Sequence, residues 1–331
     1  MNRIFAWMGK AIISGIASFV IISVFCHFYY NLPVHYETKS GASDYSWEKG
    51  VTTSRGTEGF AMTVVDENGY VNTYPQKSDS VDILVMGSSH TEGFNVGEKE
   101  NFVYVLNKLL DESNSGMYAY NIGVSGHTLD RCLKNLENAI DEFGPSKYIV
   151  IETAAVDRSL EFIKKLNNGT MESLESESSG IKLMFQKIPF LRLAYAQYAN
   201  SKGEQEVTKK AYFDDEYIYE LNVMLKNAGD IVQKHGCKLV IVYNTELGFD
   251  YNGDIIPQSG QSKIETFGQI CKNNGIEFIN MHPAFSKMYS ETKHLPRGFS
   301  NTNPGEGHTN KYGHEAIAIE LFNHICGGVE E

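Results

Sequence analysis

Short apolar runs alternate with amphipathic segments over most of the chain after residue 80. The runs VDILVM, YAYNIGV, KYIVIETA and KLVIVYNTE are apolar at most consecutive positions, as strands buried on both faces are. Segments such as ENFVYVLNKLLDE place apolar residues at helical spacing between them. This alternation predicts an α/β fold with a mainly parallel sheet and helices on both faces. Ligands of such folds bind at the carboxyl ends of the strands.

The N-terminus carries an apolar segment at residues 11–30, in which only His27 can carry a charge. A helix of about 20 residues spans the ~30 Å hydrocarbon core of a bilayer. Because Arg3 and Lys10 precede the segment, we expect a cytoplasmic N-terminus and an extracytoplasmic main domain in a bacterial-type cell membrane. A cleaved signal peptide is the alternative, but no A-x-A-like site follows the segment. A buried core helix is a further alternative.

The rest of the pattern divides the chain further. Residues 1–31 form the cytoplasmic tip and anchor, residues 32–78 a stalk, and residues 79–331 the main domain. In the stalk, Asn68-Gly69 lies between alternating β-formers and predicts a hairpin. An insert at residues 165–212 interrupts the alternation of strands and helices, and it could be a lid or a plain packing insert.

Charge and cysteine content narrow the possible partners. The chain has 29 Lys and Arg against 41 Asp and Glu, a formal net charge of -12, which repels phosphate backbones. We therefore expect no nucleic-acid partner. The five cysteines show no metal-binding spacing, so we expect no metal site and no cofactor, and disulfide pairing stays open.

Two polar motifs stand where the fold would place a ligand. GSSHTEG follows the first strand of the sheet, and EGHTNKYGH precedes the last helix. Acyl transfer by a serine needs a base that takes the hydroxyl proton and an acid that orients the base. Ser89, His308 and Glu306 would supply these three groups.

Each of the three residues also has a non-catalytic interpretation. Ser89 could be a helix N-cap, because Glu92 three residues later completes a capping box. Ser88 is the rival nucleophile. His308 could be an ordinary loop histidine, and Glu306 could only offer its charge to the positive end of the last helix.

The motifs resemble the conserved blocks of the SGNH (GDSL-type) hydrolase and acetyltransferase family. Its first block, Gly-Asp-Ser-x-(Thr/Ser)-x-Gly, is similar to GSSHTEG, with Ser88 in the place of Asp. Its second block is similar to NIGVSGHT, with Asn121 and Gly126 at the block's Asn and Gly. Its last block is similar to EGHTNKYGH, with Glu306 for Asp. The resemblance implies a flavodoxin-like, three-layer α/β/α sandwich of the SGNH hydrolase type. It also implies a divergent, membrane-anchored member whose residues 79–331 are the catalytic domain.

The resemblance also implies an oxyanion hole formed by the backbone amides of Ser89 and Gly126. The third block, Gly-x-Asn-Asp, departs from the family because the chain has Ala154, Ala155, Val156 and Asp157 there. Valine cannot supply the amide donor that the Asn supplies. Other residues that could line the pocket are Ser88, His90, Asn121, His127 and Asp157, of which His127 is a possible replacement donor.

The implied function is that of a serine esterase or O-acyltransferase. Its substrate would be an acylated carbohydrate, that is, O-acetyl esters of cell-envelope or exported polysaccharide. A transferase could depend on a membrane partner that exports the acyl donor. The alternative is a catalytically inactive glycan-binding or scaffold protein of the same fold, which the loss of the third-block Asn at Val156 would allow.

Overall fold

The structure is a computed structural model. It describes residues 2–32, 35–37, 41–76, 80–155, 160–170, 188–203 and 213–327. The third-block residues Val156 and Asp157 lie outside these ranges, as does most of the predicted insert at residues 165–212.

The described residues form strands and helices that alternate through most of the chain. The strands are β1 Tyr30–Asn31, β2 His35–Glu37, β3 Tyr45–Trp47, β4 Thr52–Arg55, β5 Ala61–Val64, β6 Ile83–Met86, β7 Ala119–Asn121, β8 Tyr148–Thr153, β9 Lys238–Tyr243, β10 Leu247–Phe249, β11 Ile255–Pro257 and β12 Glu277–Asn280. The helices are α1 Asn2–Tyr29, α2 Ser89–Glu92, α3 Phe102–Glu112, α4 Leu129–Lys134, α5 Leu136–Phe143, α6 Leu160–Asn167, α7 Pro189–Gly203, α8 Asp215–Lys234, α9 Gln261–Asn273, α10 His282–Thr292 and α11 Lys311–Cys326.

The central sheet has the strand order β12-β9-β8-β6-β7, and every neighbouring pair is parallel. Numbered along the chain within the sheet, this is the order 2-1-3-4-5 of flavodoxin-like folds. The prediction of a mainly parallel α/β fold is confirmed. Since β6 lies between β7 and β8, the GSSHTEG motif leaves the sheet beside the carboxyl ends of two other strands.

Helices cover both faces of the sheet, because side chains along each strand point alternately to opposite sides. Leu84 and Met86 of β6 pack into a core with α4, α5, α8 and α9. Ile83 and Val85 pack on the other side with α3, α10 and α11. The three layers hold the carboxyl edge of the sheet rigidly from both sides.

Helix α1 is the predicted apolar N-terminal segment. The span Arg3–Tyr29 has a mean hydropathy of 2.2 and is long and apolar enough to cross a membrane. Only 6% of its most apolar window is buried against the rest of the chain, so it is not a core helix of the sheet domain. Cys26 lies in this helix, and all five cysteines of the chain are free thiols.

The segment after α1 forms a small antiparallel sheet of the order β1-β4-β5. The hairpin in it joins β4 and β5 and turns at residues 56–60. The chain also turns at Asn68-Gly69, where Asp66 N donates to Tyr70 O at 2.8 Å. The strand before that turn is β5, and it pairs with β4, which precedes it in the chain. The hairpin therefore lies earlier in the chain than the sequence predicts.

Residues 41–76 pack onto the sheet domain. Trp47, Val65 and Val71 form a small core with Phe94, which follows α2. Lys134 of α4 donates to the buried carboxylate of Asp44 at 2.9 Å. This region, which we call the β3–β5 region, is therefore fixed beside the GSSHTEG motif.

Candidate active site

The GSSHTEG motif forms a sharp turn from β6 into the short helix α2. Ser88 is the N-cap of this helix, and its hydroxyl accepts from His90 N at 3.2 Å. A Cβ at Gly87 would lie 2.1 Å from Thr91 Oγ1, so only glycine fits where the strand turns into the helix. Ser89 is the first residue of the helix, and the cap interpretation proposed for it belongs to Ser88.

The hydroxyl of Ser88 is engaged on the interior side of the turn. It donates to the carboxylate of Glu152 at 2.9 Å. Glu152 is 1% exposed at the carboxyl end of β8 and also accepts from Thr91 Oγ1 at 3.0 Å and Asn244 Nδ2 at 3.1 Å. The structure therefore directs Ser88 away from His308 and leaves Ser89 as the hydroxyl beside the imidazole.

Ser89 and His308 meet although 219 residues separate them. His308 Nε2 lies 2.8 Å from Ser89 Oγ, within hydrogen-bond distance. The loop that carries His308 is fixed on both sides. Arg297 donates to Gly307 O at 3.3 Å, and Asn310 caps α11 by accepting from Tyr312 N at 3.0 Å.

The carboxylate beside His308 is that of Glu58, and not that of Glu306 as the sequence predicts. Glu58 Oε2 contacts His308 Nδ1, the ring nitrogen opposite the one that faces Ser89. Glu306 is exposed and accepts from Asn303 Nδ2 at 2.8 Å. The glycines on both sides of Glu306 have positive φ values of 80° and 84°, and the loop that they form holds its side chain outside the imidazole's reach.

Glu58 lies in the turn of the β4–β5 hairpin. Asn95 Nδ2 donates to its carboxylate at 3.0 Å. Asn301, in the loop before His308, holds the turn from both ends: its Oδ1 accepts from Gly59 N at 2.6 Å and its Nδ2 donates to Gly56 O at 3.0 Å. The turn that carries Glu58 is thus attached to the loop that carries His308.

The charge state of Glu58 follows from two opposing effects. Partial burial disfavours its carboxylate, but the hydrogen bond and charge of His308, together with the charge of Arg55, outweigh burial and lower the pKa of Glu58. The carboxylate is therefore ionised at neutral pH. An ionised acid at Nδ1 places the proton of a neutral imidazole on that nitrogen and leaves Nε2 free to accept one from Ser89.

No sequence signal identifies Glu58. It is 250 residues from His308 and belongs to no motif, whereas Glu306 has the family's spacing to the histidine. One local feature marks the approach of the carboxylate. A Cβ at Gly307 would lie 2.7 Å from Glu58 Oε1, so glycine before His308 leaves the room that Glu58 occupies.

His90 lines the same site from α2. Its ring centroid is 5.1 Å from that of His308, and its Nδ1 accepts from Thr309 N at 3.1 Å. Burial, followed by the nearby charges of Arg297 and His308, lowers the pKa of His90 well below its usual range. The ring is therefore neutral, and because Nδ1 is an acceptor, its Nε2 carries the proton.

The two backbone amides expected to form an oxyanion hole are available. Within the described part of the chain, the N–H groups of Ser89 and Gly126 have no hydrogen-bond acceptor. Asn121 ties the loop of Gly126 to α2, since its Nδ2 donates to Thr91 O at 2.8 Å and its Oδ1 accepts from Gly123 N at 2.8 Å. Asn121 is 1% exposed and so acts inside the loop, not on a ligand.

His127 lies away from the Ser89 and His308 pair. It is 4% exposed and packs against Asp44 and Tyr45 of the β3–β5 region. Burial lowers its pKa to about 4, so the ring is neutral at pH 7. Its position beside Asp44 gives it a packing role and removes it from the possible replacement donors.

A cavity of about 480 Å³ opens at His308. Its lining combines carboxylates, one guanidinium and one amide with few apolar groups: Glu58, His90, Glu246, Leu247, Gln258, Arg297, Gly305, Glu306, Gly307 and His308. Glu306 therefore faces the cavity as a rim residue. Among the described residues, no group of three or more His, Cys, Asp or Glu side chains could hold a metal ion.

Comparisons with known proteins add the following. No family model matches the sequence, and no curated protein matches it. Solved structures that match include a two-domain esterase active on acetylated mannans, with 13% identity, a TM-score of 0.43, and 76% of this chain and 51% of that chain covered. Another is an acetyl xylan esterase from Geobacillus stearothermophilus, with 15% identity, a TM-score of 0.45, and 75% and 97% covered.

A third match is the esterase EstA from Pseudoalteromonas sp., with 16% identity, a TM-score of 0.42, and 75% of this chain and 98% of that chain covered. Similarities at this level assign neither a family nor a substrate to the chain.

Proposed function

We propose that the protein is a serine esterase or O-acyltransferase of the SGNH type. The observation that carries this proposal is the position of His308 between Ser89 Oγ, 2.8 Å from its Nε2, and the carboxylate of Glu58 at its Nδ1. Nucleophile, base and orienting acid in this order form the arrangement that activates a hydroxyl for attack on an acyl carbonyl.

The reaction proceeds in two displacements. His308 Nε2 takes the proton of Ser89 as its oxygen attacks the acyl carbon, and Glu58 stabilises the imidazolium. The amides of Ser89 and Gly126 donate to the oxyanion. His308 returns the proton to the leaving alcohol, and an acyl-serine forms. Water or a second hydroxyl, deprotonated by His308, then attacks the acyl-serine and regenerates Ser89.

The substrate that we propose is an O-acetyl ester of a cell-envelope or exported polysaccharide. The polar lining of the cavity suits sugar hydroxyls better than a long acyl chain. An anchor at residues 11–30, with an extracytoplasmic catalytic domain at residues 79–331, would bring the site to envelope glycans. Transfer in place of hydrolysis requires a sugar hydroxyl as the second acceptor, and a membrane partner could supply the acyl donor.

The test uses the full chain purified in detergent, with 4-nitrophenyl acetate as substrate and a fluorophosphonate as label. We expect the wild-type protein to release nitrophenol and to become labelled, and Ser89→Ala to lose both. Ser88→Ala is the matched control and keeps both. Absence of both activities in the wild-type protein, together with retained glycan binding, would support the scaffold function in place of catalysis.

A further inference from the structure

The β4–β5 hairpin lies against the end of helix α1. Strand β1 follows α1 directly, and Tyr30 and Asn31 pair with Arg55 and Ser54 of β4. Ser54 Oγ donates to His27 O at 3.1 Å. The hairpin is therefore joined to the last turns of the helix by backbone pairing and by a side-chain hydrogen bond.

The register sets the direction in which the hairpin points. Strands β1 and β4 are antiparallel, with Tyr30 opposite Arg55 and Asn31 opposite Ser54. The end of β4 that leads into the turn therefore lies beside the end of β1 that joins the helix. Gly56, at the start of the turn, packs against the Tyr29 ring so closely that a Cβ would lie 2.6 Å from it. The turn with Glu58 thus lies level with the last turn of α1.

Aromatic residues mark both ends of α1. Trp7 lies near its start, and Tyr29 is its last residue. Tyr29 lies 22 positions after Trp7, which as a helix is a rise of about 33 Å, close to the ~30 Å thickness of a bilayer's hydrocarbon core. Because Trp and Tyr prefer the membrane–water interfaces, this spacing places Tyr29 at one interface.

Exposed apolar side chains surround that end of the helix. Phe60 is 63% exposed at the hairpin turn, and Met62 is 44% exposed two residues later on the same side of the strand. Helix α7 contacts both α1 and β1 and exposes Phe190, Tyr195 and Tyr198. Large side chains of this kind, exposed together beside an apolar helix, fit a lipid surface.

We propose that Phe60, Met62 and the exposed aromatics of α7 form a membrane-contact face, and that Ser89 takes its ester at the surface of the bilayer that holds α1. The inference rests on the proposed anchoring and esterase function, and it deepens both. Glu58 is two residues from Gly56, at most about 7 Å of extended chain, and contacts His308 directly.

The proposal has a consequence for the substrate. A site at the height of the membrane–water interface lies close to esters that are held at the membrane, such as an acetylated sugar on a lipid. A free polymer has to diffuse to it. Confinement to the same surface raises the effective concentration of such a substrate without any new contact. The membrane-held ester is thus the substrate class that the face selects.

Fluorescence quenching tests the contact itself and needs no activity. Phe60→Trp is made in a Trp7→Phe background, and the protein is placed in vesicles with and without brominated phosphatidylcholine. Since the buried Trp47 also emits, the emission of the Trp7→Phe parent is subtracted, and we expect the brominated vesicles to quench the remaining emission of position 60. Lys272→Trp in the same background is the control, because Lys272 is exposed at the end of α9, beside the amino end of β12. It should keep its emission.

Activity tests the consequence. Phe60→Gln combined with Met62→Gln should lower kcat/KM by about 10-fold on an acetylated alkyl glucoside held in vesicles, since the variant loses apolar contact with lipid. Hydrolysis of soluble 4-nitrophenyl acetate should stay unchanged. Ile319→Gln, which changes a 42% exposed residue of α11, is the control and should change neither rate.

The possible outcomes distinguish the contact face from the proposed anchoring and from the proposed preference for membrane-held esters. A chain that alkaline carbonate extracts from vesicles would overturn the anchoring and the contact face together. A chain that resists extraction but shows no quenching at position 60 would overturn the face alone. Quenching at position 60 with equal rate losses on both substrates would keep the face and overturn the preference for membrane-held esters.

Discussion

The residues of the candidate site come from two regions that are held in different ways. Ser89 and His308 belong to the sheet domain, where buried groups such as Glu152 and Arg297 fix both loops. Glu58 belongs to the β3–β5 region, where Asn95 donates to its carboxylate and Asn301 bonds to its turn. Ser89 and His308 are thus held by the sheet domain, and Glu58 reaches them from a separate segment.

We therefore expect Ser89 and His308 to stay in place when Glu58 is changed. Substitutions at Glu58 and at the groups that contact its carboxylate should alter rate more than stability. Substitutions on the interior side of the Ser88 turn, inside the sheet domain, should alter stability more than rate.

The largest effect should come from Glu58→Gln. The amide keeps the shape but loses the charge that orients and stabilises the imidazolium, so kcat should fall by about 10³-fold with little change in thermal stability. Glu306→Gln is the matched control, because Glu306 is exposed and bonded to Asn303. Steady-state kinetics on 4-nitrophenyl acetate measure kcat of both variants. An equal loss of kcat in both would contradict the assignment of Glu58 as the carboxylate that orients His308.

The second prediction concerns Glu92, which joins the two regions. It is 1% exposed and accepts from Trp47 of the β3–β5 region and from Ser125. Burial raises the pKa of Glu92 from 4.5 to about 7. Between these pH values the folded protein binds more protons than the unfolded one, so stability falls as pH rises from about 4.5 to about 7.

Glu92→Gln should remove this loss. The variant should gain up to about 3 kcal/mol over the wild type above pH 7 and match it near pH 4.5, since one pKa unit is about 1.4 kcal/mol. Unfolding in guanidinium chloride at pH 5 and pH 8 measures the difference, in which the other titrating groups cancel. An equal difference at both pH values would show that Glu92 does not titrate in this range.

Gly307→Ala tests the second contact between the regions. A methyl group would lie 2.7 Å from Glu58 Oε1, and the residue has a φ of 84°, which an alanine adopts with strain. We expect kcat/KM to fall about 10- to 100-fold. Gly253→Ala carries a similar φ of 81° with open space around it, and so measures the strain alone. Equal activity in the two variants would argue against the close approach of Glu58.

The smallest effect on rate should come from Ser88→Ala, a change wholly inside the sheet domain. The variant loses the helix cap and the hydrogen bond to Glu152, at a cost of about 1 kcal/mol of stability. Its kcat should stay within about threefold of the wild type, because His308 faces Ser89. A loss as large as that of Ser89→Ala would exchange the roles of the two serines.

The sequence predicted the sheet and the meeting of its two polar motifs for a physical reason. Parallel strands are buried on both faces, so their sequences are continuous apolar runs. Their carboxyl ends lie at one edge of the sheet. If strands and helices alternate as predicted, the motif after β6 and the motif before α11 both lie at that edge. The contact of Ser89 with His308 follows from this topology.

The position of Glu58 could not be predicted in the same way. Residues 41–76 are polar and form short strands, and their one hairpin signal, Asn68-Gly69, does not mark the turn that carries Glu58. Proximity in sequence favoured Glu306, but the backbone between two glycines turned its side chain to the cavity rim. The place of Glu58 depends on tertiary contacts with Asn95 and Asn301, which a linear pattern does not record.

The two hydrogen bonds of Asn301 to the Glu58 turn also determine which groups would move together if the site opened. Asn301 lies on the same loop as His308, so a swing of that loop would carry the carboxylate and the imidazole along as one piece. In such a movement the distance between His308 and Ser89 changes, whereas the contact between His308 and Glu58 is kept.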